Sequence, residues 1–200
     1  KTGAPAFGTP EYMRATQMTG QMCRFYGLPM RSSGVCAANV PDGQAMWETS
    51  NSLWAAVQSG TNMVYHAAGW LEGGLVSSYE KFMIDVDQLG MMQAMSAGVD
   101  ISQTGQAMDA ISEVGPGSHY LGCAHTQANF QTAFYRSTVA DNNSYEQWLA
   151  EGENRVEQRA NKLCRSWLES YVEPPLDADI DAKLVAFIQE KKDSMPDAFT

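Results

Sequence analysis

The reading turns on Asn62–Tyr79, NMVYHAAGWLEGGLVSSY. Met63 to Ala67 reads as a short buried strand that breaks at small residues. About ten residues rich in Gly, Trp, Glu and Ser follow, and then a long helical pattern begins. Strand, irregular tip, helix is the order that places a tip at the ligand-binding face of an α/β protein. The tip carries an imidazole (His66), a carboxylate (Glu72) and a large aromatic (Trp70).

Upstream, Thr9-Pro10-Glu11 is a helix start, with Thr as cap and Pro in the first turn. Ala15, Met18, Met22 and Phe25 recur at helical spacing as its apolar stripe, and Gly27 ends it. Leu28 to Ser33 is expected to be a short strand despite Pro29. Asp42 opens the next helix, with Met46, Ser50, Leu53, Trp54 and Val57 on one face. Two credible strands alternate with helices here, which implies βα units of a parallel sheet.

Downstream, Ser77 or Ser78 caps a helix with Phe82, Val86 and Leu89 inward. Its acidic residues Glu80, Asp85 and Asp87 are expected on a solvated face. Thr104 to Val114 is a second helix, His119 to His125 a short strand or ordered loop, and Asn129 to Tyr135 one or two helical turns. Arg155 to Tyr171 is the clearest helix, with a stripe of Val156, Ala160, Leu163, Cys164, Trp167, Leu168 and Tyr171. Pro174-Pro175 forbids its continuation. Asp179 or a neighbour caps a last helix with Ile180, Leu184, Phe187 and Ile188 inward, and the tail beyond Met195 is expected to be loose.

The 200 residues suffice for one domain with a core, and the formal net charge is −10. That charge argues against nucleic acid and gives no basic patch for an anionic membrane. No apolar run approaches a membrane span. Cys23, Cys36, Cys123 and Cys164 form no CxxC pair, and read as reduced thiols of a cytoplasmic protein. The opening KTGAPAFGTPEY has no signal-peptide core, and its lack of Met suggests a processed or truncated chain.

Phosphate-loop, dinucleotide-binding and nucleophile-elbow motifs are absent. His119, Cys123 and His125, with Cys36 from outside, could ligate zinc, but match no standard structural spacing. An ordered loop whose histidines bond backbone carbonyls is the competing reading. His66 is either a satisfied core histidine or a functional ring on Gly-rich backbone. Tyr65, Trp70, Tyr79 and Tyr120 supply faces that attract a quaternary ammonium, a constellation that is equally compatible with core packing.

Four long blocks carry a resemblance. They are VPDGQAMWE, AAGWLEGGLVSSYEKFMIDVDQLGMM, GPGSHYLGCAHTQANFQTAFYR and YEQWLAEGENRVEQRANKL with the later LESYVEPPLD. From about Gly8 to Ile188 the chain resembles the trimethylamine methyltransferase family of corrinoid-dependent enzymes. The resemblance implies an α/β fold that is the C-terminal portion of a TIM (β/α)8 barrel, helix-rich, with a helical C-terminal tail. Residues 1–140 would be the last βα units of a partial barrel, and residues 141–200 a helical segment packed on it.

The implied activity is methyl transfer from a quaternary or tertiary methylated amine to the Co(I) corrinoid of a cognate corrinoid protein. With only standard residues present, the chain resembles the branch without pyrrolysine, which includes glycine betaine methyltransferases. His66, Tyr65, Trp70, His119 and Tyr120 would bind substrate, His66 gripping a betaine carboxylate. No directly bound metal is expected, and homo-oligomerisation is compatible with this reading. Two alternatives remain: a zinc-dependent corrinoid methyltransferase for an alcohol or thiol, using Cys36, His119, Cys123 and His125, and a non-catalytic α/β interaction module.

Overall fold

The computed structural model describes residue 3 and residues 5–195, so the tail expected to be loose beyond Met195 lies outside the described residues. Helix α1 (Pro10–Tyr26) starts where the Thr9 hydroxyl accepts from the Tyr12 N–H and ends at left-handed Gly27. Its expected apolar stripe faces outward: Met18, Met22 and Phe25 are exposed, while Thr16 and Gly20 are buried. The reason is close approach. Gly20 lies so near Ser59 that a side chain there would collide with the Ser59 backbone. Small residues, which a hydrophobic periodicity overlooks, set the contact of α1 with the next helix.

Strand β1 (Arg31–Ser33) pairs in parallel with β2 (Met63–Tyr65), in the register Arg31 to Met63, Ser32 to Val64 and Ser33 to Tyr65. Helix α2 (Gly43–Gln58) connects them, capped by the Asp42 carboxylate, which accepts from the Gln44 and Ala45 N–H groups. Both strands are shorter than their sequences suggest. β1 starts only after Pro29, and β2 stops because His66 takes a left-handed φ of 50°. Neither is fully buried, since Met63 and Tyr65 are exposed.

The tip beyond β2 is more regular than expected. β3 (Trp70–Leu71) and β4 (Val76–Ser77) form an antiparallel hairpin around a 3-10 turn at Glu72–Gly74. The Glu72 and Gly73 N–H groups donate to the carbonyls of Ala38 and Cys36, tying this turn to the loop after β1.

Helix α3 (Tyr79–Ser96) is capped by Ser78. Its acidic face is not solvated: Lys81, Asp85 and Asp87 are buried, and Phe82 is 46% exposed in their place. The inward residues are Met83, Ile84 and Met92. The helix is turned from the orientation its apolar residues suggest because its charges have partners inside.

The expected helix over residues 104–114 is broken into α4 (Gln103–Gln106) and α5 (Met108–Val114) by left-handed Ala107. Residues 119–125 form no strand; turns there lead into α6 (Ala124–Asn129). α7 (Tyr145–Ala150) and α8 (Val156–Glu169) follow. Val156, Ala160, Leu163 and Cys164 face inward as expected, joining Met83, Ile84 and Val139 in one apolar cluster. Cys36, Ala38, Ala45 and Leu71 form a second, and Met46 packs against both.

The chain divides into two compact units, residues 1–166 and 167–200. In the second, Trp167, Leu168 and Tyr171 are exposed rather than inward. Helix α9 (Ala178–Ser194) is capped by Asp177, and Ile180, Leu184, Phe187 and Ile188 are all about half exposed, against the inward stripe expected of them. The chain is helix-rich with few strands, an α/β arrangement. No described helix is long and apolar enough to cross a membrane.

Candidate functional site

The C-terminal ends of β1 and β2 bring Ser33 and His66 together. The Gly34 N–H donates to the Tyr65 carbonyl, closing the strand pair. Immediately after it, the Ser33 hydroxyl and His66 Nδ1 lie 3.3 Å apart. The left-handed turn at His66 lifts its ring out of the strand, so that it stands edge-on to Trp70 with centroids 5.3 Å apart. The Tyr65 ring lies 6.1 Å from it, centroid to centroid. His66 is exposed and Trp70 half-buried, so the ring pair is not a sealed core contact.

A cavity of about 440 Å³ opens here, lined by Tyr12, Arg31, Ser33, His66 and Gly73 among others. The Arg31 guanidinium lies 4.7 Å from the Tyr65 ring centroid, and among the described residues it has no carboxylate partner. A cation stacked on an aromatic face is held in place without neutralising it. Sequence reading missed Arg31, although its alternation with Ser33 and its register opposite Met63 put it on the same side of the strand pair as Tyr65.

His119 and Tyr120 lie elsewhere. His119 lines a separate cavity with Glu113, Ser118 and Cys123, and Tyr120 is exposed on the same loop. Neither lines the His66 cavity, and of the five residues named from sequence only His66 does; Tyr65 and Trp70 adjoin it through their ring contacts with His66. The site residues named from sequence thus fall into one cluster of His66, Tyr65 and Trp70, and one separate loop.

The four zinc candidates do not converge. Cys36 is fully buried and donates to the Trp70 carbonyl, Cys123 pairs with the Thr126 hydroxyl, and His125 Nε2 meets the Thr104 carbonyl. Burial pushes the Cys36 thiol up, which disfavours the thiolate a metal needs. No group of three or more His, Cys, Asp or Glu side chains suited to a metal exists among the described residues.

Behind the tip lies a buried ion pair that the sequence did not announce as such. Lys81 Nζ meets Asp85 at 2.5 and 2.6 Å and donates to the Thr49 hydroxyl at 2.8 Å. Asp85 Oδ2 also accepts the Gly69 N–H at 2.8 Å. Burial pushes the Asp85 carboxyl up, and the adjacent ammonium opposes that shift. The signal was an i, i+4 Lys–Asp spacing inside a stripe read as solvated.

Comparison with known proteins bears on all of this chain. The family model for trimethylamine methyltransferase matches residues 1–196. A glycine betaine methyltransferase of Desulfitobacterium hafniense (strain Y51) is 38% identical over 192 residues, covering 96% of this chain and 40% of that protein. A trimethylamine methyltransferase MttB of Desulfitobacterium hafniense (strain DSM 10664 / DCB-2) is 29% identical over 187 residues, 93% of this chain and 37% of its own length. One of Methanosarcina barkeri (strain Fusaro / DSM 804) is 30% identical over 193 residues, 95% of this chain and 38% of its own length. The chain therefore spans about two fifths of the length of these curated relatives.

Proposed function

Because the chain belongs to the trimethylamine methyltransferase family, we propose that it is part of an enzyme moving a methyl group from a methylated amine to a corrinoid carried by a partner protein. The greater similarity to a glycine betaine methyltransferase than to the two trimethylamine enzymes named above favours a quaternary, betaine-like donor. The observation that carries the reading is the His66–Trp70 pair beside Tyr65 at the ends of two parallel strands. Within it, β1, α2 and β2 are one βα unit of a TIM barrel. Residues 1–140 belong to that barrel, and residues 141–200 form a helical segment of the same protein. A cytoplasmic location accords with free cysteines at all four positions.

The donor set suits a methylated ammonium that carries a carboxylate. Aromatic faces attract a trimethylammonium without a hydrogen bond, which that group cannot make. Arg31 and His66 offer charge and a donor to a carboxylate two or three atoms away from it. The corrinoid, docked on its partner, would supply the nucleophile. The part of this chain is to orient the C–N bond and exclude water around it. His119 and Tyr120 would approach the mouth only as the rest of the protein brings them there.

The test mixes the full-length protein with its corrinoid protein in the Co(I) state and follows methylcobalamin by absorbance. Glycine betaine, other betaines, choline and trimethylamine are compared. Methylation from one or more of these donors supports the reading, and none from any donor overturns it.

A further inference from the structure

We propose that Asp85, seated in the interior by Lys81, is a positioning residue: by accepting from the Gly69 N–H, its side-chain oxygen holds the His66–Trp70 tip in register with α3. The inference deepens the functional reading above, on which only its kinetic arm rests.

Gly69 is the anchor. Its N–H donates to Asp85 Oδ2 at 2.8 Å and its carbonyl accepts from the Ser78 N–H at 2.9 Å. Its φ of 85° disfavours any residue with a side chain, and an added Cβ would stand 3.2 Å from the Phe82 Cβ, a contact that Phe82 would have to yield to. Three residues before it is the left-handed His66, and one residue after it is Trp70. Fixing Gly69 thus fixes the two rings relative to each other. Cys36 secures the far side by donating to the Trp70 carbonyl.

The pair is poorly explained by helix stability alone. Lys precedes Asp at i, i+4, the less favourable orientation on a helix. Both side chains are almost fully buried, where removal from water offsets much of the attraction. What the arrangement does provide is a carboxylate with its position fixed. Lys81 holds both oxygens, and Thr49 on α2 holds Lys81. A line of contacts then runs from α2 through α3 to the tip.

The discriminating experiment uses two double variants of the full-length protein. Lys81→Met with Asp85→Asn removes both charges but keeps an oxygen that accepts from Gly69. Lys81→Met with Asp85→Leu removes the acceptor too, with similar volume. Residue-resolved hydrogen exchange should show Gly69 at least about tenfold faster in the Leu variant and near wild type in the Asn variant, a factor set by the loss of one buried hydrogen bond. KM for the methylated amine should rise in the Leu variant and return towards wild type in the Asn variant, with kcat less affected. Equal protection of Gly69 in the two variants, whether kept or lost in both, overturns the proposal. Altered exchange with an unaltered KM supports the anchor and counts against this tip as the amine site.

Discussion

The imidazole of His66 stands edge-on to the indole of Trp70, with centroids 5.3 Å apart and planes at 87°. An edge-to-face pair leaves both broad faces of one ring uncovered for a ligand, whereas a stacked pair would cover one face of each ring. His66→Ala should lower methyl transfer from a quaternary amine by about tenfold or more, and Trp70→Leu by a similar factor. For Trp70 this follows from a partly desolvated aromatic–cation contact of about 1–2 kcal/mol, and for His66 from loss of the donor to the substrate carboxylate, a charge-assisted hydrogen bond of about 1.5–3 kcal/mol. Steady-state rates with the corrinoid partner check this, and unchanged rates in both variants would remove the tip from the site.

Arg31 distinguishes donors by their other end. Its guanidinium rests on Tyr65 and has no carboxylate partner among the described residues. Arg31→Met should raise KM about tenfold or more for a donor bearing a carboxylate, the weight of one charge-assisted hydrogen bond. Trimethylamine and choline lack that group and should be unaffected. A uniform effect across the three donors would show that Arg31 acts through the fold instead.

Gly69→Ala meets two obstacles at once, a φ of 85° and the Phe82 side chain. Left-handed backbone at a residue with a side chain costs about 1–2 kcal/mol, and the close contact adds to it. Urea unfolding should show a loss of about 2 kcal/mol. Phe82→Ala in the same chain should recover only the steric part.

The sequence made the helices, their caps and the place of the tip legible, because Thr9, Asp42 and Ser78 each announce a helix start in a single residue. It also marked His66 and Trp70, which stand four positions apart around glycine. What it hid was orientation. The α3 stripe of Phe82, Val86 and Leu89 pointed one way, while Lys81, Asp85 and Asp87 point inward because each finds partners distant in sequence. Periodicity counts apolar residues and cannot see that Thr49 or Tyr135 will satisfy a charge. The same limit applies to α1, where Gly20 and Thr16, not the methionines, make the contact.

Asp87 shows how strong such a hidden partner set is. Its carboxylate accepts from the Tyr135 hydroxyl, the Thr138 N–H and the hydroxyls of Ser137 and Thr138. Asp87→Ala removes the shared acceptor of these partly solvated donors and should cost about 1–2 kcal/mol, as losing hydrogen bonds to a charged group does. Burial pushes the Tyr135 phenol up, and the Asp87 charge adds to it. Asp87→Asn should therefore bring the Tyr135 titration back towards its ordinary value, measurable by the phenolate absorbance against a Tyr135→Phe control.

Glu80 provides the acid-side test. The Asn161 amide donates to it at 2.7 Å across 81 residues of chain, and this contact is the main reason its carboxyl lies below the usual glutamate range. Its own N–H and the Ser78 hydroxyl add to the effect. A folded-state value below the unfolded one means stability that is present above the ordinary pKa of 4.5 and lost as pH falls through the lower folded value. Asn161→Leu should cost about 1 kcal/mol at neutral pH, a hydrogen bond to a partly solvated charge. The difference from wild type should shrink as pH drops below 4.5 and vanish once Glu80 is protonated in both states. Denaturant unfolding at pH 7 and at successive steps below 4.5 measures it. A difference that stays constant across that range would mean that Asn161 stabilises the chain through packing and not through the Glu80 charge.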